Sequence, residues 1–309
     1  MRIQLNQPLA IHELGNRSNQ EDCIFPALGK ASEDNRLFIV CDGMGGHEKG
    51  EVASTTVCQA VASYIDSHYQ AGTVLQDSTL KQAVMYALDQ LDTISETGTG
   101  VKKMGTTLTL IAFHRGGCTM AHIGDSRIYH IRPEERRLLY KTRDHSLVYD
   151  LFLSGEITME EMRTHPKKNV ITRALMPDSE RPVNASIAHT TDLRAGDYLY
   201  LCSDGMLEEM DDEELLGILC TQKTNTEKRD MLIARTMDNK DNHSAYLIQV
   251  ASVENEDNDN GYANDEASAR FNAALLERQA SAPKPQPTKK AEHLLERLRR
   301  LLKGKGLTT

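Results

Sequence analysis

Two apolar runs end on the same dipeptide: LFIVCDGMGGHEKG at 37–50 and DYLYLCSDGM at 197–206. A buried strand that closes on a carboxylate and a glycine delivers an acid to a sheet edge. It also leaves the next backbone carbonyl free to approach a ligand. One Asp-Gly alone reads as a hairpin turn. Two such ends, joined by further Asp residues in similar settings, point to one oxygen-rich site for hard divalent cations.

Those carboxylates need a sheet to carry them. Val52, Thr56, Val57, Ala60, Val61, Tyr64 and Ile65 share one helical stripe after the glycine-rich loop, and Leu80, Val84, Ala87, Leu88 and Leu91 share a second. The runs at 106–113, 118–124 and 126–131 read as strands, with a hairpin turn at Arg115-Gly116-Gly117. Residues 145–165 read as an irregular or short-helical insertion. A strand at 197–203, helices near 211–220 and 226–238 and a closing strand at 244–250 follow. Strands in consecutive hairpins, with helices grouped elsewhere, favour an α+β fold over a parallel doubly wound sheet.

The 309 residues are 39% apolar and 26% charged, as in a water-soluble globular protein, and no stretch approaches a membrane span. The N-terminal residues lack the apolar core of a secretory signal, so the cytoplasm is the expected location. Six scattered cysteines without C-x-x-C spacing read as reduced core residues. A net charge of −9 argues against general nucleic-acid affinity. Residues 1–250 read as one domain, and 251–309 as a tail. The tail opens with six acids between 251 and 266, allows a short helix at 267–280 and continues through the proline-rich SAPKPQPTKK spacer. It ends in a short basic amphipathic helix, with Leu294, Leu295, Leu298, Leu301 and Leu302 on one face, suited to docking a partner or an anionic surface.

Five segments stand in order: Arg17-Ser18-Asn19-Gln20-Glu21-Asp22, Asp42-Gly43-Met44-Gly45-Gly46-His47, Gly124-Asp125-Ser126-Arg127, Ser203-Asp204-Gly205 and Asp241-Asn242. GDSR or SDG alone is weak; the ordered set resembles the metal-dependent protein phosphatases of the 2C type over residues 10–250, in their bacterial-like branch. The chemistry of the residues agrees. Phosphate monoesters hydrolyse very slowly in water and demand large charge stabilisation. Two divalent cations about 3.5–4 Å apart meet that demand. The segments offer the oxygen ligands that Mg²⁺ and Mn²⁺ prefer. No Ser/His/Asp nucleophile arrangement is evident, and no cysteine begins a Cys-x₅-Arg phosphate loop.

The resemblance implies a four-layer α-β-β-α sandwich with the site at one end and a flap at 145–175. It implies that Asp42 bridges two Mn²⁺ or Mg²⁺ ions, that the Gly43 carbonyl binds one, and that Asp204 and Asp241 bind the other. Glu21 would act through a bound water, with Asp22 orienting the waters. Asp125 would join Asp204 at a weaker third metal site, and Arg17 would grip the substrate phosphate. Gly45 and Gly46 would let the loop turn tightly. The implied activity is hydrolysis of phosphoserine and phosphothreonine in proteins, opposing a bacterial Ser/Thr kinase. Two alternatives stand beside it: a non-catalytic regulatory scaffold of the same fold, and a phosphatase dedicated to one regulatory phosphoprotein.

Taken singly, Arg17 is a surface arginine, Glu21 a solvated acid, and Asp241-Asn242 and Asp125-Ser126 are turns. His47 reads as a polar surface residue, Met44 as packing, and His145 and His165 as structural or flap residues. Three positions depart from the family pattern. Met44 stands where many eukaryotic relatives carry a histidine proposed as general acid, which leaves that role unassigned. His243-Ser244 replaces the usual aliphatic-Thr, and Met176-Pro177 replaces a glycine after Thr172-Arg173-Ala174-Leu175.

Overall fold

Alternate residues of the run Leu37–Met44 face different layers. Phe38 and Val40 enter one hydrophobic cluster, Ile39 and Cys41 another, and all four are fully buried. A strand covered on both faces has this period of two. The computed structural model describes residues 1–45, 49–69, 73–97, 104–178 and 183–254, and it builds the pattern into two antiparallel sheets. In chain order come β1 (Arg2–Leu5), β2 (Leu9–Glu13), β3 (Asp22–Phe25), β4 (Leu37–Met44), α1 (Lys49–His68) and α2 (Asp77–Thr97). Then follow β5 (Gly105–Thr106), β6 (Leu108–His114), β7 (Gly117–Ile123), β8 (Arg127–Arg132) and β9 (Arg137–Lys141). The helices α3 (Leu147–Leu153) and α4 (Met159–Thr164) precede β10 (Ser186–Thr190), β11 (Tyr198–Cys202), α5 (Asp212–Leu219), α6 (Asn225–Thr236) and β12 (His243–Glu254).

One sheet has the order β1-β12-β11-β8-β9, with β2 also on β12; the other has β10-β7-β6-β4-β3, with β5 on β4. Leu199 and Leu201 of β11 join Phe38, Val40, Phe113, Tyr246 and Ile248 between the sheets. Phe38 meets Tyr246 edge-on at 5.2 Å between ring centroids. The opposite β11 face, Tyr198, Tyr200 and Cys202, packs with Leu215, Leu219 and Leu232 of α5 and α6. Val57, Val61 and Ile65 of α1 and Leu80, Val84 and Leu91 of α2 cover Ile39 and Cys41. These three cores make the expected α-β-β-α sandwich.

The closing strand is longer than its sequence pattern. It runs to Glu254 because β1, which the sequence reading did not resolve, pairs with it through Ile3↔Val253 and Arg2↔Glu254. The expected strand at 106–113 is interrupted at Thr107, whose N–H donates to the Asp42 carbonyl. The insertion contains two short helices, α3 capped by Ser146 and α4 by a Thr158/Glu161 capping box. Ser146–Val170 clusters as a unit separate from Met1–His145 and Ile171–Asp257. All six cysteines are free thiols; Cys23 is half-buried and the other five are buried. Gly46, His47 and the expected tail features lie outside the described residues.

Candidate active site

β3 and β4 pair in a register that sets Asp22 directly opposite Asp42. The other sheet reaches the same place through β11 and β12. The Ser203 N–H donates to the Ser244 carbonyl, the Ser244 N–H donates to Ser203 Oγ, and Ser203 Oγ donates to Asp22 Oδ2 at 2.8 Å. One buried carboxylate thus ties the two sheets together. Asp204 follows Ser203 in a 3-10 turn, and its carboxyl lies within hydrogen-bond reach of Asp42.

Close backbone approach explains both Asp-Gly glycines. A Cβ on Gly43 would lie 2.1 Å from the Gly50 carbonyl oxygen, and one on Gly205 would lie 2.0 Å from the Asn242 carbonyl oxygen. A side chain at Gly43 would push β4 off the start of α1, and one at Gly205 would push the turn after β11 off the residues that lead into β12. The Gly43 N–H donates to the Glu21 carbonyl, which also accepts from Ser54 Oγ. The Glu21 carboxylate packs against Gly50 at the start of α1.

Arg17 and Asp241 form an ion pair, Nη2 to Oδ2, at 2.7 Å. That hydrogen bond is the main reason the guanidinium is held above its ordinary pKa; Asp241, Glu21 and Asp204 add their charges. Asn242 fixes this loop. Its Oδ1 accepts from the Glu21 N–H, and its Nδ2 donates to the Leu14 and Asn19 carbonyls. The departure at His243 is accommodated: the ring is buried, and its Nδ1 contacts the Asp241 carbonyl at 2.9 Å.

Asp125 follows Gly124, whose φ of +105° favours glycine. His145 grips Gly124 twice. Its N–H donates to the Gly124 carbonyl, and its Nδ1 accepts from the Gly124 N–H at 3.1 Å. His145 Nε2 lies 2.9 Å from Ser186 Oγ and 3.1 Å from Arg173 Nη1. Burial pushes His145 down to about 3, helped by His122, Arg173 and Arg143, so the ring is neutral at physiological pH. The ring also stacks on His122 at 4.5 Å. The "structural" reading of His145 thereby becomes specific: it positions the loop that carries Asp125.

Four carboxyls resist ionisation. Burial raises Asp42 well above the usual range, and Asp204, Asp22 and Asp125 push it further. Burial lifts Asp22 to about 7 against hydrogen bonds from Ser244 and Ser203. Burial and then Asp204 lift Asp125 to about 8, and burial raises Asp204. Asp125 Oδ1 is buried without a hydrogen-bond partner. Crowded acids and an orphaned carboxyl oxygen are what a hard cation would satisfy, so the donor set fits divalent cations. Among the described residues no group of three or more His, Cys, Asp or Glu side chains is gathered closely enough to hold a metal ion by itself. An open set of carboxylates completed by carbonyls and water suits Mg²⁺ better than a cage does.

Asn242, Ser203 and His145 were not singled out by sequence as site residues; the Asp-Asn, Ser-Asp-Gly and Asp-His-Ser contexts were the available signal. Two departures from the family pattern meet in space. A Cβ on Gly105 would touch both Met44 Cγ and Met176 Cγ. Met44 therefore packs, as expected from sequence, in an apolar corner two residues past Asp42.

A family model described as protein phosphatase 2C matches residues 12–239. The serine/threonine phosphatase stp of Listeria monocytogenes is 32% identical over 225 residues, covering 71% of this chain and 86% of the relative. The crystal structure of the Mycobacterium tuberculosis serine/threonine phosphatase PstP/Ppp superposes with a TM-score of 0.69 at 31% identity, covering 81% of this chain and all of that one. A structure of the PstP catalytic domain in complex with two manganese ions gives 0.67 at 32% identity, with 81% and 100% coverage. Fold and matched residues define a bacterial serine/threonine protein phosphatase. The chain belongs to the protein phosphatase 2C family, whose members are metal-dependent. No described helix is long and apolar enough to cross a membrane.

Proposed function

We propose that the chain dephosphorylates phosphoserine and phosphothreonine in proteins, opposing a Ser/Thr kinase, with two Mn²⁺ or Mg²⁺ ions held at the ends of β4, β11 and β12. The observation that carries this reading is the convergence of Asp42, Asp22 and Asp204 from two different sheets. Asp42 and the Gly43 carbonyl would hold one ion, and Asp42, Asp204 and Asp241 would hold the second. Asp125 with Asp204 would offer a weaker third position. Ions bound there supply a nucleophilic water at neutral pH and neutralise the phosphoryl oxygens.

The remaining roles belong to the chain itself. Arg17 is exposed beside these acids, and its planar fork suits a phosphate; the substrate competes with Asp241 for it. Glu21 and Asp22 orient water, and Ser203 fixes Asp22 in place. Met44 has no proton to give, so the proton for the leaving hydroxyl comes from another donor, a role that water could serve. Residues 1–254 form the catalytic unit, and the tail directs partner choice.

The test is turnover of p-nitrophenyl phosphate and a phosphothreonine peptide after chelation, then with Mn²⁺ or Mg²⁺ restored. Chelation should abolish turnover and either ion should restore it. Full turnover in metal-stripped protein would overturn the mechanism, and no turnover with metal would leave the scaffold reading.

A further inference from the structure

A cavity of about 630 Å³ opens away from the carboxylates, at the other end of β4 and α1. β4 enters it at Leu37 and delivers Asp42 roughly 17 Å further along. Its apolar wall includes Ile65, Leu75 and Phe113, each at most 3% exposed. Protein interiors are close-packed, and an opening of this volume lies within the range of small-molecule pockets.

Three guanidiniums, Arg2, Arg36 and Arg115, share the lining with two carboxylates, Asp34 and Asp66. The charges are not equally solvated. Both carboxylates are exposed, where water and salt screen them, whereas Arg36 is half-buried. Arg36 Nη1 donates only to the Glu33 and Asn35 carbonyls, and neither Arg2 nor Arg36 is ion-paired with a carboxylate among the described residues. Burial lowers the Arg36 guanidinium below its ordinary pKa; Asp34 opposes this and nearby Arg2 adds to it. Two neighbouring guanidiniums without carboxylate partners, one of them short of water, gain from an anion placed between them.

We infer that this cavity binds a small amphipathic anion, its carboxylate, phosphate or sulfonate head on Arg2 and Arg36 and its apolar body against Ile65, Leu75 and Phe113. The site is separate from the phosphatase centre, and β3, β4 and α1 each run from one to the other, β3 with Asp22 at the centre and Phe25 in the cavity wall.

The probe is 8-anilinonaphthalene-1-sulfonate, titrated by fluorescence against the full chain, beside its uncharged analogue N-phenyl-1-naphthylamine. Saturable binding at one site per chain is expected, weaker for the uncharged probe. Arg36→Gln and Arg2→Gln should each weaken the sulfonate about tenfold, as loss of a charge-assisted hydrogen bond does. Asp34→Asn should tighten it. All three variants should keep the cooperative melt and the turnover of p-nitrophenyl phosphate. Non-saturable binding, equal affinity for the two probes, or sulfonate affinity unchanged in the Arg2→Gln/Arg36→Gln double variant would each overturn the proposal.

Discussion

Asp22 and Asp42 stand directly opposite each other across the β3–β4 ladder. Like charges in that position destabilise a sheet, and burial makes the repulsion worse. The fold tolerates the pair because Ser203 donates to Asp22 and because both carboxyls resist ionisation. Stability is given up here for a site that attracts cations. Asp42→Ala should therefore leave the metal-stripped protein as stable as the parent or slightly more so, while turnover with metal falls by at least ~10². A lowered melting temperature in the metal-stripped variant, or near-parental turnover, would contradict this.

Arg17 predicts a different kinetic signature. It is exposed and tied to the site only through Asp241, so its loss should cost little stability. Arg17→Ala should raise KM for a phosphopeptide roughly tenfold, with a smaller fall in kcat. Steady-state kinetics at saturating Mn²⁺ distinguishes this from a uniform loss of kcat, which would place Arg17 in the chemical step instead.

His145 should behave as a positioning residue. His145→Ala frees Gly124 on its side-chain contact and loosens Asp125. The expected result is a rise of about tenfold in the Mn²⁺ concentration needed for half-maximal turnover, with KM for peptide little changed. Calorimetric Mn²⁺ titration gives a second readout. An unchanged metal requirement would show that Gly124 holds its conformation without the ring.

The strand ends were legible in the sequence because they combine two strong signals, a continuous apolar run and an Asp-Gly. The helix stripes of α1 and α2 were legible for the same kind of reason: a long period of 3.6 survives local noise. β1, β2, β3, β9 and β10 were not. They are short and partly exposed; β1 and β10 are defined by partners far away in the chain, such as Glu254 for Arg2 and His122 for Ser186, and β9 is the edge strand of a local hairpin with β8 whose register shifts at His130/Ile131. At the site, the acids were legible by type. Their supports were not, because Ser203, Asn242 and His145 act through hydrogen bonds to residues 181, 221 and 21 positions away. The role expected of Gly43 was a free carbonyl; the structure adds a second reason, the Gly50 backbone pressed against it.

A buried ion-pair network away from the site governs acid stability. Asp197, 1% exposed, accepts from His130 Nε2 at 3.0 Å and from Arg132 Nε and Nη2 at 2.9 Å. Burial alone would raise its pKa, but these partners outweigh burial and hold it at about 2. A depressed carboxylate pKa gives stability that is complete above the unfolded value near 3.9 and lost as pH falls through the folded value. Asp197→Asn should cost about 1–3 kcal/mol at pH 7, because it leaves Arg132 with only its more exposed partners, Asp192 and Glu135. The gap between parent and variant should narrow between pH 4 and 2 in denaturant melts. A gap independent of pH would mean that the carboxylate charge is not what stabilises the network.

The catalytic unit should end at Glu254 rather than Val250. Ser252 and Val253 pair with Gln4 and Ile3, and Val253 packs on the core between the sheets. A cut after Glu254 keeps every described strand, including all five motif segments, and removes only the acidic stretch, the proline-rich spacer and the basic leucine-rich end. Turnover of a phosphothreonine peptide and the melting temperature should both match those of the full chain. A cut after Val250 removes four further residues and leaves β1 without its partner beyond Leu5, which should cost about 1–3 kcal/mol from lost apolar burial. The tail's own contribution should appear only with protein substrates. Its composition places five acids at 255–266 ahead of a basic end, charges that a folded phosphoprotein can meet and a short peptide cannot. Rates on an intact phosphoprotein should therefore fall after the Glu254 cut, and fall less at high salt, while peptide rates stay level. Loss of peptide turnover with an unchanged melt would place the tail inside the catalytic unit.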